Sequence, residues 1–101
     1  MFKKLKGVKL SYERQGFVRF CCLTYDEQPE EVQRRIANLC VEVGAEDWQA
    51  LFELMTTQEQ AMALSVKHHI GATTLYRLRV KFYYAWYGEN QKPAAKLPEL
   101  G

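Results

Sequence analysis

A chain of 101 residues is long enough for one hydrophobic core and too short for two comfortable domains. Hydrophobic residues make up 48% of it and aromatics 13%, enough apolar surface to offset the entropy of ordering, which excludes a natively disordered chain. The formal charge of +2 is too small to mark a nucleic-acid binder by its total, but it is unevenly spread.

Before Asp26 the chain is basic, through Lys3, Lys4, Lys6, Lys9, Arg14 and Arg19 against Glu13. From Asp26 to Thr56 the balance reverses, with Asp26, Glu27, Glu30, Glu31, Glu42, Glu46, Asp47 and Glu53 opposed only by Arg34 and Arg35. After Thr57 it turns basic again through Lys67, Arg77, Arg79, Lys81, Lys92 and Lys96. One positive face on a nearly neutral domain is compatible with this pattern, and so is ordinary solvated surface.

Residues 1–10 read as a basic, flexible lead-in without helical period. A first helix is expected from the cap Ser11 to about Tyr25, turning Tyr12, Phe17, Phe20, Cys21 and Leu23 inward; the apolar run from Phe17 to Leu23, broken only by Arg19, also fits a strand. Pro29, followed by Glu30 and Glu31, marks the start of a second helix. There Val32, Ile36, Leu39, Cys40 and Val43 recur at the spacing of one buried stripe, with Gly44 placed to be a left-handed cap. A short third helix is predicted from about Asp47, a candidate cap, to Met55, with Trp48, Leu51, Phe52 and Met55 facing inward and Trp48 and Phe52 as core anchors.

Thr57 with Gln60 three residues on has the form of a capping box and is read as opening a fourth helix that buries Ala61, Leu64 and either His68 or Val66. A fifth helix is expected from about Thr74 to Tyr87, ending near Gly88, and residues 89–101 read as a flexible tail. The fold class is therefore all-α, a single-domain bundle of about five helices over residues 11–88, with a helix-turn-helix at about 57–87.

In the helix-turn-helix reading, Ser65 is the close-approach residue, Ile70 the apolar plug of the turn and Gly71 the residue that permits a positive backbone angle. His68 stands where a Leu is usual, and His69 where the pattern favours Gly. Projected at 100° per residue, the fifth helix puts Leu75, Leu78, Phe82 and Trp86 on one face. Arg79 and Tyr83 fall at the edges, and Thr73, Tyr76, Arg77, Val80, Lys81 and Tyr84 lie opposite. From that outer face Thr73, Tyr76 and Arg77 are assigned to base edges, and Lys67, Thr74, Arg79 and Lys81 to phosphates, because guanidinium and hydroxyl groups match base acceptors while amines and free helix amides match phosphate.

The stretch GATTLYRLRVKF resembles the reading helix of sigma-factor region-four-like proteins. Together with QGFVRF and PEEVQRRIANLC it also resembles small DNA-binding regulators carried by bacterial conjugative transposons and prophages. The resemblance implies sequence-specific binding of double-stranded DNA for transcriptional control or element mobility; two symmetric half-sites would call for a homodimer, and one short asymmetric site for a monomer beside RNA polymerase or a recombinase.

A rival reading is a protein-interaction module, since Tyr83, Tyr84, Trp86 and Tyr87 crowd the end of the fifth helix and form a candidate partner or dimer surface. No nucleophile–base pair, phosphate-cradling loop or zinc spacing stands out, so no enzyme, cofactor or metal is expected. Cys21, Cys22 and Cys40 are an odd number without CxxC spacing, and MFKKLKGVKL lacks a signal-peptide core. Reduced thiols in a cytoplasmic chain are the expectation.

Overall fold

The computed structural model describes residues 9–88, and within them the chain is all-helical: five α-helices, two single 3₁₀ turns and no strand. Residues 1–8 of the expected lead-in and the whole expected tail, 89–101, lie outside the described residues. Ser11 opens α1 (Tyr12–Leu23), its hydroxyl accepting the Arg14 amide at 3.1 Å. The strand alternative for Phe17 to Leu23 is overturned.

Phe17 and Phe20 are not core residues; they are 54% and 62% exposed, and Tyr12 is exposed as well. The inward stripe is Val18, Cys21 and Cys22, with Gln15 donating from its buried amide to the Leu10 carbonyl at 3.0 Å. Arg19 accounts for this rotation. Its Nη1 donates to the carbonyls of Leu54 at 2.8 Å and Met55 at 3.0 Å, and its Nη2 to that of Thr57 at 3.1 Å. A side chain that must reach the bundle sets which face turns in, and the face opposite it carries Phe17 and Phe20.

After the 3₁₀ turn Tyr25–Glu27, Pro29 precedes α2 (Glu30–Gly44), whose Ile36 and Cys40 are buried and whose Val32, Leu39 and Val43 pack against the core. Gly44 is not the left-handed cap: it ends the helix with φ −84°, and the positive angle falls on Ala45, at φ 51° and ψ −123°. Gly44 instead lets two segments approach, since a Cβ there would lie 3.4 Å from Trp48 Cβ and 3.5 Å from Leu51 Cδ2. A second 3₁₀ turn, Ala45–Asp47, leads into α3 (Trp48–Thr56), where Asp47 holds the cap position without a side-chain bond. Ala50, Leu51, Leu54 and Met55 are buried there, but Trp48 is exposed and Phe52 only half-buried, so neither is the core anchor expected. α3 packs against all four other helices.

Thr57 closes α3 rather than opening the next helix. Its hydroxyl donates to the Glu53 carbonyl at 2.6 Å and accepts the Glu59 amide at 3.2 Å. α4 (Ala61–His68) follows Gln60, which makes no side-chain cap bond, so the capping box is absent. α4 buries Leu64, half-buries Ala61 and His68, and leaves Val66 in solvent.

The turn that follows takes its positive angle at His69, with φ 58° and ψ 45°, whereas Gly71 has φ −60°. Histidine is among the side chains enriched in this region. The Ile70 amide donates to the Ser65 carbonyl at 3.1 Å and the Ser65 hydroxyl to the Ile70 carbonyl, tying the turn to α4.

α5 (Ala72–Trp86) buries Leu75, Leu78, Phe82 and Trp86 as its periodicity predicts, and also Val80, Tyr83 and Tyr84. Val80 and Tyr84 were assigned to the outer face. At Tyr84 the chain before α1 crosses this side, the Lys9 amide donating to the Tyr84 hydroxyl at 2.7 Å, and Val80 belongs to the same buried cluster as Leu10, which is 3% exposed. Leu10 is thus packed and the exposed Lys9 is tied down by its amide, so neither is a free lead-in.

Cys21, Cys22 and Cys40 are free and buried; burial raises all three, pushing Cys22 and Cys40 up to about 12, so both stay protonated at neutral pH. No described helix is long and apolar enough to cross a membrane.

Arg19→Met should cost about 3 kcal/mol in urea unfolding, because three carbonyls lose a charged donor at once. Ala45→Gly should raise stability by about 1 kcal/mol, since glycine adopts that positive φ without a Cβ penalty; an unchanged midpoint would show that Ala45 carries no strain.

Candidate functional site

The first turns of α5 present Thr73, Tyr76, Arg77 and Lys81 to solvent on one side of the helix. Thr74, beside them, is half-buried. The helix begins after Gly71 with no side-chain cap, so its first amides and its positive dipole end are open. A cleft of about 400 Å³ opens where α4 and α5 start, lined by Gln60, Ala61, Met62, Ala72, Thr73 and Tyr76. No Asp or Glu occurs from Ala61 to Gly88, and neither Arg77 nor Lys81 is ion-paired among the described residues.

Two of the residues assigned to phosphates are not free cations. Arg79 is half-buried at the edge of this face, its guanidinium carbon 4.9 Å from the Tyr76 ring centroid and its Nε buried without a hydrogen-bond partner. Lys67 lies on α4 and holds both carboxylate oxygens of Glu53, at 3.0 and 3.1 Å. His68 Nε2 stands 3.2 Å from Glu53 Oε1. These contacts hold the Glu53 carboxyl below its ordinary range, the Lys67 bond foremost and the His68 bond next.

The aromatic end of α5 is not a free partner surface. Tyr83, Tyr84 and Trp86 are buried within the chain's own core. Tyr87 is half-buried; its hydroxyl donates to the Arg14 carbonyl at 3.0 Å, and the Arg14 guanidinium lies 4.8 Å over its ring. Arg35 stacks 4.7 Å over Trp86 and donates to the Trp86 carbonyl. What solvent meets instead is Phe17 and Phe20 on α1, Phe17 standing edge-on to Trp86 at 6.3 Å between ring centroids.

One feature escapes a reading by periodicity. A cavity of about 600 Å³ is lined by Tyr25, Ala37, Trp48, Gln49, Phe52, Glu53 and His68, with the Tyr25 and Phe52 rings edge to face at 5.1 Å. Its signal in the sequence is Trp48 and Phe52 one turn apart, a spacing equally suited to a buried stripe. Among the described residues no three His, Cys, Asp or Glu converge to hold a metal ion.

Glu53→Gln should lower stability at pH 7 by on the order of 0.5 kcal/mol, as a half-exposed ion pair is lost. The sign follows from the lowered pKa: stability from Glu53 is present above the unfolded carboxyl value of about 4.3 and disappears as pH falls through the folded one. Denaturation curves of the two proteins should therefore converge by about pH 2; a gap that persists there would assign the loss to packing. No protein-family model matches the chain, and no curated protein or solved structure matches it closely enough to supply a relative.

Proposed function

We propose that the chain binds duplex DNA, with α4 and α5 serving as a helix-turn-helix and the first turns of α5 entering the major groove. The observation that carries this reading is the strip of Thr73, Tyr76, Arg77 and Lys81, exposed and acid-free on a helix braced from behind by α1, α2, α3 and α4. A helix that needs only solubility mixes acids among its bases. Further support comes from the turn, where the left-handed residue is His69, the position at which helix-turn-helix sequences favour Gly.

Each role follows from chemistry. Arg77 reaches guanine O6 and N7 with two parallel donors. Thr73, Tyr76 and the apolar walls of Met62 and Ala72 suit a thymine methyl and its neighbouring acceptor. Lys81 and the open amides around Thr74 meet phosphates. Arg79 joins them from the edge, held on Tyr76, and Lys67 does so only by exchanging Glu53 for phosphate. The resemblance of GATTLYRLRVKF to sigma region-four-like reading helices extends the proposal to transcriptional control or element mobility, beside RNA polymerase or a recombinase.

A second reading, association with a protein or a second copy, is favoured by one observation, the exposure of Phe17 and Phe20 on α1. Binding to duplexes selected from a random pool, measured by fluorescence anisotropy over a range of salt, separates the two. Arg77→Ala should cost about 1–3 kcal/mol on the selected sequence and flatten its preference, while Lys81→Ala weakens all sequences alike and lowers the salt slope by about 1. Unchanged DNA retention in both variants would end the DNA reading, and loss of self-association in Phe20→Gln would then favour the other.

A further inference from the structure

The cavity between α2, α3 and the end of α4 shares no residue with the face assigned to DNA. We propose that it is a second binding site, which takes the arginine or lysine side chain of a basic segment on a protein partner. Three aromatic rings, Tyr25, Trp48 and Phe52, contribute to its walls, and the electron-rich face of such a ring attracts a cation. The Glu53 carboxylate is part of the same wall and is held in place by Lys67 and His68. Aromatic faces with one oriented carboxylate form the donor set that recognises a guanidinium or ammonium group.

Charge selects this occupant over an anion or a neutral group. Asp26 and Glu27 directly follow Tyr25, Glu46 and Asp47 directly precede Trp48, and none of the four is ion-paired among the described residues. The cations nearby are Lys67 and His68, both turned on Glu53, while Arg34 on α2 is paired with Glu30 at 3.0 Å. Lys67 is 62% exposed, so an incoming cation displaces it from the carboxylate without opening the fold. An apolar ligand would leave the Glu53 carboxylate unused by the site, and a phosphate would be repelled by it. The volume of about 600 Å³ admits a side chain of this length with part of its own backbone.

The test uses the full-length chain labelled with nitrogen-15, reading the indole N–H of Trp48, which is identified by its loss in Trp48→Leu. The probes are short blocked peptides with one central arginine, lysine, citrulline or aspartate, and N-acetyl-tryptophanamide as an apolar competitor. The arginine and lysine peptides should shift the Trp48 signal saturably at or below the millimolar range, and citrulline, with the same shape and no charge, should bind about tenfold more weakly. Glu53→Gln should weaken the arginine peptide about tenfold. Equal binding of arginine and citrulline, tighter binding of the tryptophan amide, or no saturable shift by about 10 mM would overturn the proposal. The arginine-to-citrulline comparison is made on the unaltered protein, so it decides the matter whether or not the variants fold.

Discussion

A guanidinium from one helix meeting the bare carbonyls at the end of another is the contact on which this bundle turns. The last carbonyls of a helix have no partner within it and carry the negative end of its dipole, a position usually met by a basic residue in the same last turn. Neither α3 nor α5 has one. Arg19 supplies that charge to α3 from α1, and Arg35 supplies it to α5 from α2. Because α3 touches every other helix, fixing its end fixes where the chain leaves for α4, and so where α4 supports α5. The same bond decides the rotation of α1, which leaves Phe17 and Phe20 in water.

Segregation of charge follows the same division of labour. Among the described residues the acids other than Glu13 on α1 lie on the two 3₁₀ turns, α2 and α3, or beside Gln60, while α4 and α5 contain none. Repulsion within the acid-free half is low because its four cations are handled separately. Lys67 is neutralised by Glu53 and Arg79 is stacked on Tyr76, leaving Arg77 and Lys81 as full charges. On the proposals made for them, the positive strip and the aromatic-walled cavity holding Glu53 would take ligands of opposite sign, so the two sites need not compete.

Much of this was legible in the sequence wherever a residue's role depended on its own helix. The stripe from Ile36 to Val43, the buried set Leu75, Leu78, Phe82 and Trp86, and the exposure of Thr73, Tyr76 and Arg77 all follow from helical period alone. What could not be read depended on another segment. Arg19 looked like an interruption in an apolar run because its acceptors lie thirty-five or more residues away. Tyr84 looked outward because the segment that meets it, at Lys9, has no period of its own. Thr57 had two local options, to cap the following helix or to bond back to Glu53, and the Arg19 contact at its carbonyl belongs to the second. Gly44 and Ala45 exchanged roles for a packing reason, the close approach of Trp48 and Leu51.

The covering of Val80 and Tyr84 also limits what α5 can read. From Thr73 to Lys81 the open strip is about 12 Å long at 1.5 Å per residue, roughly three to four base pairs of duplex. At about 1–3 kcal/mol of discrimination for each good base contact, one copy gains several kcal/mol over random sequence. A genome presents about a million or more competing sites, whose exclusion asks for more than that. On the DNA reading, selectivity therefore requires a second contributor held beside the first, either another copy on an adjacent half-site or a protein already at the promoter or recombination site. The exposed Phe17 and Phe20 and the cavity around Trp48 are the two surfaces from which such an attachment would be made, and neither includes a residue of the strip from Thr73 to Lys81.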